Sequence, residues 1–479
     1  MNVKRTAVAY TLILILLAVV GTLYLNEKPI TPITSVEAVT KRTDEGFGRI
    51  FNDELKHELH IYITEEEWLG MGKDMMRYRY TDSRMRTGAY RTARVVYKDD
   101  YGEFEIDRIG IRTKGNTTRL IPENHEGVLR RSHFKLKFDW TLDERVASEA
   151  YKQLGQRTFL GVNELALKSN MESDRSFVHE KYAYDLLRQL GVPAPKITLT
   201  TLTVHVDGRE LDYGVYTVIE SVNKGFLTNQ YGTKLNDGNL YRALWQDFGP
   251  ATLMPIINPM AVGIKDWESN YRPAYDLITN TDSVTHVELY DFIDHLNRLE
   301  GEAFVDYIDK TLDVDVLLKA FAVTVLIGSP DDYRAMGNNY YLYFKPDGQV
   351  VFFPYDFDNS LGYGWDGESF GGYEGIATED IYEWRSLASI FMGVDYSHPL
   401  ADKILAVEKY RGRYEEILLE LISTKAYSYE SFLKLFESVK VMYGDDLDNV
   451  TSAGKLMFLT NEKSFMDLKI KSVLDQIEK

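Results

Sequence analysis

Asp331–Gly362 reads D-D-Y-R-A-M-G-N-N-Y-Y-L-Y-F-K-P-D-G-Q-V-V-F-F-P-Y-D-F-D-N-S-L-G, and the rest of the chain is read outward from it. Two apolar, aromatic runs, Tyr340 to Phe344 and Gln349 to Pro354, flank Pro346-Asp347-Gly348, where Pro presets φ and Gly accepts φ > 0. This predicts a β-hairpin whose first strand begins where its second ends. Asp331, Asp332, Asn338 and Asn339 then lie beside Asp356 and Asp358. Hard oxygen donors gathered this way suit Mg²⁺, Mn²⁺ or Ca²⁺, whereas zinc favours Cys and His, and the chain has no cysteine. The plainer readings are a solvated acidic hairpin end, or a structural Ca²⁺ loop using Asp356, Asp358 and Asn359.

Composition narrows the function classes. A net charge of −18 over 479 residues, with no basic run, argues against nucleic acid as a partner. The histidines show no paired metal spacing, and neither G-x-S-x-G nor a P-loop occurs. At the N-terminus, Lys4 and Arg5 precede an uncharged run from Ala7 to Leu25. Such a run is roughly 28 Å long as a helix, about the hydrocarbon thickness of a bilayer. It predicts a signal anchor over residues 1–26 with the rest of the chain outside the cytoplasm; the alternative is secretion after signal-peptide cleavage. Residues 27–54 read as a linker, and 55–479 as the folded part.

Within the folded part, His60–Ile63, Ala93–Tyr97, Phe104–Arg112, Phe134–Phe138 and Leu165–Lys168 alternate like strands, with a helix from Glu65 behind a Thr64 cap. Ser176–Leu190 is amphipathic at helical spacing, and Lys196–Val206 with Leu211–Glu220 flanks an Asp207-Gly208 turn. Leu240–Ala243 reads as a short strand. Trp245–Tyr275 has no period and receives no assignment. Helices are expected at Val287–Leu299, Asp313–Leu326, Leu400–Ile422, Tyr429–Met442 and Glu462–Ile477.

Two further stretches bear on chemistry. Ile111-Arg112-Thr113-Lys114-Gly115-Asn116-Thr117-Thr118-Arg119 leaves a strand for a loop of small, hydroxylated and basic residues, suited to phosphate or simply to solvent. Leu167-Lys168-Ser169-Asn170 follows, with Asp174 and Arg175 before the helix that carries Glu180. Together with N-Y-Y-L-Y and F-F-P-Y-D-F-D-N-S-L-G, these segments resemble the spore-coat kinase (CotH) family of atypical protein kinases. The resemblance implies an α+β, protein-kinase-like two-lobed fold: an antiparallel sheet lobe at about 55–243 and a mainly helical lobe at about 280–479.

It also implies ATP-dependent phosphorylation of Ser or Thr in a protein, such as a coat or envelope protein. Asp356 stands where the Asp of D-F-G would, as metal ligand, with Asp358 beside it; Asn339, or Asn338 in the alternative register, is the second ligand. Asp332 is the choice for the catalytic residue at the acceptor hydroxyl, with Asp331 as the alternative. Arg112, Lys114 and Arg119 would hold phosphates. Lys168, preferred over the strand lysines Lys135 and Lys137, would pair with the nucleotide and with Glu180, and Glu220 would meet its adenine or ribose side. H-R-D and G-x-G-x-x-G are missing, and D-F-D replaces D-F-G. A non-catalytic, Ca²⁺-stabilised surface binding or adhesion module on the same fold is the competing expectation, and a metal-dependent phosphohydrolase a third.

Overall fold

The computed structural model describes residues 44–78, 86–115, 119–141, 148–170, 174, 176–282, 285–363, 372–450 and 460–479. Seven strands come first: β1 Glu58–Ile63, β2 Arg91–Asp99, β3 Gly102–Lys114, β4 His133–Lys137, β5 Glu164–Lys168, β6 Ile197–Val206 and β7 Arg209–Glu220. They close into a barrel in the order β1-β2-β3-β4-β5-β7-β6. β1 is the closing piece, antiparallel to β2 (Glu58 opposite Lys98) and parallel to β6 (Glu58 opposite Thr201). Its alternation buries Leu59, Ile61 and Ile63 inside while both backbone edges find partners. Closure removes the two open edges a flat sheet would expose.

This overturns the expected two-lobed, kinase-like fold. A closed seven-stranded barrel stands where an open antiparallel sheet lobe was expected, and the later part of the chain is not simply helical. There β8 Asn239–Ala243, β9 Val262–Gly263, β10 Tyr275–Leu277, β11 Tyr340–Phe344 and β12 Val350–Pro354 form a second sheet in the order β12-β11-β8-β10-β9. Among the described residues fifteen α-helices accompany the two sheets. The sequence hides this arrangement because β1 meets β6 across more than a hundred residues, and β8 pairs with β11 across an unpatterned insertion.

The expected linker is also shorter, since Asp44–Ile50 is helical and Ile50 and Phe51 enter the barrel core. The 7–25 run and Arg175 lie outside the described residues. Among the described residues no helix is long and apolar enough to cross a membrane. The buried helix Val314–Ile327 starts at Asp313, whose carboxylate accepts from Val316 N, and ends at Gly328 in the left-handed region (φ 64°). That stop turns the chain into Asp331. Leu400–Ile422 proves to be two helices, Pro399–Ala406 and Glu408–Ser423, broken at an extended Val407.

The helix His179–Gln189 is pinned from the far end of the chain. His179 Nε2 lies 3.1 Å from Glu462 Oε1 and 3.6 Å from Asp174 Oδ1, all three groups buried. Burial disfavours the His179 imidazolium, but the two carboxylates more than offset that and raise its pKa.

Candidate active site

Period-two alternation builds one wall of the site. Along β3, β4 and β5, Ile111, Phe134, Leu136, Leu165 and Leu167 point into the barrel, and their neighbours Arg112, Lys114, His133, Lys135, Glu164 and Lys168 point out. The register sets Lys114 opposite His133 and Arg112 opposite Lys135. These outward residues line a cavity of about 720 Å³, within the roughly 300–1,000 Å³ of small-molecule sites.

Lys168 is its electrostatic centre. Its Nζ lies 2.6 Å from Asp356 Oδ1, 3.1 Å from Asp358 Oδ2 and 3.0 Å from Glu180 Oε2, so one ammonium joins a barrel strand, a helix and the end of the hairpin. Burial works against its charge, yet the three carboxylates raise its pKa well above the ordinary lysine value. One ammonium does not satisfy three carboxylates. Burial, with Asp356 and Asp358 nearby, pushes Glu180 up to about 7 against the pull of Lys168. Burial and then Asp356 also raise Asp358, whereas Lys168 holds Asp356 below the usual carboxylate range despite burial. Asp356 keeps 34 % of its side chain exposed, so solvent tempers that pull. Burial and the Lys168 charge push Lys114 down to about 8, and the same causes, in the same order, lower His133 well below its usual value.

The hairpin supplies the opposite wall. Tyr340 pairs with Pro354, and Tyr355 N donates to Asn339 O at 3.0 Å, so Asp331–Asn339 and Asp356–Asp358 meet at one end. Asn339 (φ 54°) and Asp356 (φ 67°) both sit in the left-handed region, an unfavourable conformation for non-glycine residues that recurs at functional sites. Asp356 is held there by its N–H donating to Tyr184 Oη at 3.0 Å. The carboxylates of Asp356 and Asp358 and the amide of Asn339 are hard oxygen donors of the kind that would hold a Mg²⁺ or Mn²⁺ ion. Among the described residues no three His, Asp or Glu side chains form a ready metal cage.

The two adjacent aspartates separate. Asp332 is buried and caps the short helix Tyr333–Met336, accepting from Ala335 N at 2.8 Å; burial raises it to about 6, and it does not line the cavity. Asp331 does line it, with Oδ1 accepting from Asn338 Nδ2 at 2.8 Å, while its carbonyl accepts from Asn339 Nδ2 at 2.8 Å. Asn338 Oδ1 is occupied by Trp245 N at 2.7 Å, which leaves Asn339 the better placed of the two amides. Glu220 lines the cavity at the end of β7, where it accepts from Asn229 Nδ2 at 2.7 Å.

The unassigned insertion after β8 also reaches the cavity, through Trp245, Gln246, Lys265 and Trp267, with Arg242 just before it. Arg112 and Arg119, expected at phosphates, each lie 5.6 Å from the Trp267 ring. His133 escaped notice among the histidines. Its only sequence signal is the alternation H-F-K-L-K, which puts it on the charged face.

The site thus sets one buried lysine against three carboxylates at the open end of the hairpin. The chain belongs to the CotH kinase protein family, whose model matches residues 111–426, more than half of its length. No curated protein matches it.

Proposed function

We propose that this chain is a protein Ser/Thr kinase that uses ATP with Mg²⁺ or Mn²⁺. The observation that supports the reading best is the contact of Lys168 with Glu180, Asp356 and Asp358 together, which reproduces the charge arrangement phosphoryl transfer needs. Glu180 orients Lys168 toward nucleotide phosphates, Lys114 adds positive charge beside it, and Glu220 lies toward the base and ribose. A divalent ion held by Asp356, Asp358 and Asn339 would neutralise the β- and γ-phosphates. Asp331, rather than the capping Asp332, takes the proton of the acceptor hydroxyl. The hydroxyl oxygen forms a bond to the γ-phosphorus as the bond to the β–γ bridging oxygen breaks, and that electron pair leaves on ADP.

The proposal includes tethering by residues 7–25 with the domain outside the cytoplasm, where a coat or envelope protein would be the acceptor. Intact-mass spectrometry of the full chain with ATP and Mn²⁺ or Mg²⁺, alone and with a generic protein acceptor, tests the activity. Added phosphate in the wild type and none in Asp356→Ala is the expected result. No added mass with either metal, together with a melting temperature raised by Ca²⁺ and not by nucleotide, would replace the kinase with a binding module.

A further inference from the structure

The cavity has two separate positive regions. The inner one is Lys168 and Lys114, whose electrostatic neighbours are Asp356 and Glu180. The outer one is built around Trp267. Lys265 Nζ stands 4.0 Å from its ring centroid, with Arg112 and Arg119 at 5.6 Å, and all four residues line the cavity. Gly88 lies flat against the indole: a Cβ there would come within 2.3 Å of Trp267 Cδ1, so no larger residue fits without moving the ring.

Within this outer group Lys265 and Arg112 are the members left with unmet polar demand. Among the described residues no carboxylate lies within ion-pairing distance of Lys265 Nζ, and the buried Arg112 Nε has no hydrogen-bond partner. Asp276, the acid that opposes the cations around Lys265, is engaged by Arg242 Nη2 at 2.7 Å and by Lys265 N at 2.9 Å. Burial and the cations Arg242, Arg112 and Arg119 lower the Lys265 pKa, and Asp276 opposes them only in part. An incoming anion would relieve that repulsion and satisfy Arg112.

The insertion is fastened on the acceptor side of the site. Trp245 N donates to Asn338 Oδ1, and Asn338 donates to Asp331, the residue placed at the acceptor hydroxyl. Trp245 also meets Phe391 at 6.4 Å, from which an exposed apolar ledge of Ile390, Met392 and Val394 runs outward. A ledge of that kind suits polypeptide better than a second nucleotide.

We propose that Lys265, Arg112 and Arg119 around Trp267 form a subsite for an anionic side chain, carboxylate or phosphate, of the acceptor polypeptide. The proposal rests on the kinase reading for the identity of its occupant. Fluorescence anisotropy with labelled serine peptides differing at one neighbouring position, alanine, aspartate or phosphoserine, tests it on the full chain and on Lys265→Met and Trp267→Leu. The anionic peptides should bind the wild type about tenfold more tightly than the alanine peptide, from one charge-assisted contact. That preference should collapse in Lys265→Met, with Mn²⁺–ATP affinity preserved; Lys265→Gln serves if the Met variant does not fold. Stronger binding of phosphoserine would assign the subsite to already phosphorylated acceptors, and equal binding of the two to acidic ones generally. Equal binding of all three peptides, or an equal loss of nucleotide affinity in Lys265→Met, overturns the subsite. Phosphate transfer followed in parallel separates the two claims: preferential binding without transfer sinks the kinase reading alone, and transfer without preference sinks the subsite alone.

Discussion

The two faces of the β3–β4–β5 wall are made by alternate residues of the same strands, yet they obey opposite rules. Inside, Ile111, Phe134, Leu136 and Leu167 have no exposed surface and hold the barrel by burial of hydrocarbon. Outside, Arg112, Lys114, Lys135 and Lys168 stand against four carboxylates, Glu164, Glu180, Asp356 and Asp358, with Arg112 also over two aromatic rings. The packed interior fixes the strands, and the strands fix the spacing of the charged side chains on their other face.

Replacing the centre of the charged face tests that division most severely. Lys168→Met should reduce phosphate transfer on the order of 10²–10³-fold, measured at a temperature where the variant is folded. Near-normal turnover would mean that the outer face is only a solvated surface. Truncating the inner face should do the reverse: Leu136→Ala should cost about 2–5 kcal/mol in denaturant unfolding, with turnover per folded molecule unchanged. If turnover falls while stability holds, the two faces are not separable.

The smallest effect concerns the helix that carries Glu180. His179, with its pKa raised by Asp174 and Glu462, adds stability that is complete below the unfolded value of 6.5 and disappears as pH rises through the folded value. The slope is at most about 1.4 kcal/mol per pH unit. Thermal melts between pH 6 and 9 should therefore fall with pH in the wild type and flatten in His179→Gln. His398, buried beside Arg334 with no such carboxylates, is driven down to about 3 by burial and then that charge, and its contribution falls as pH drops below 6.5. Parallel curves for wild type and His179→Gln would show that His179 is neutral in the folded chain.

The hairpin was readable because its signals are local: Pro346-Asp347-Gly348 turns it, and period-two aromatics define both strands. That Lys168, Arg112 and Lys114 share one face follows only from the pairing of β3, β4 and β5. Barrel closure was not readable, since the β1–β6 pairing depends on two distant edges meeting and leaves no mark in either strand. Asp331 and Asp332 differ for a local reason. Asp332 stands three residues before Ala335, the spacing of an N-cap, so its carboxylate was already committed to the backbone. The insertion defeated reading altogether, because Lys265 and Trp267 gain meaning only from Arg112, Arg119 and Gly88, which come from the barrel side.

The His179–Glu462 contact joins residues 283 positions apart. During synthesis, at about 5–20 residues per second, the helix bearing Glu180 therefore exists for many seconds before its last anchor emerges. The order of translation thus makes the packing around Glu180 one of the last features to mature, and a chain ending before residue 460 would lack the Glu462 contact to His179.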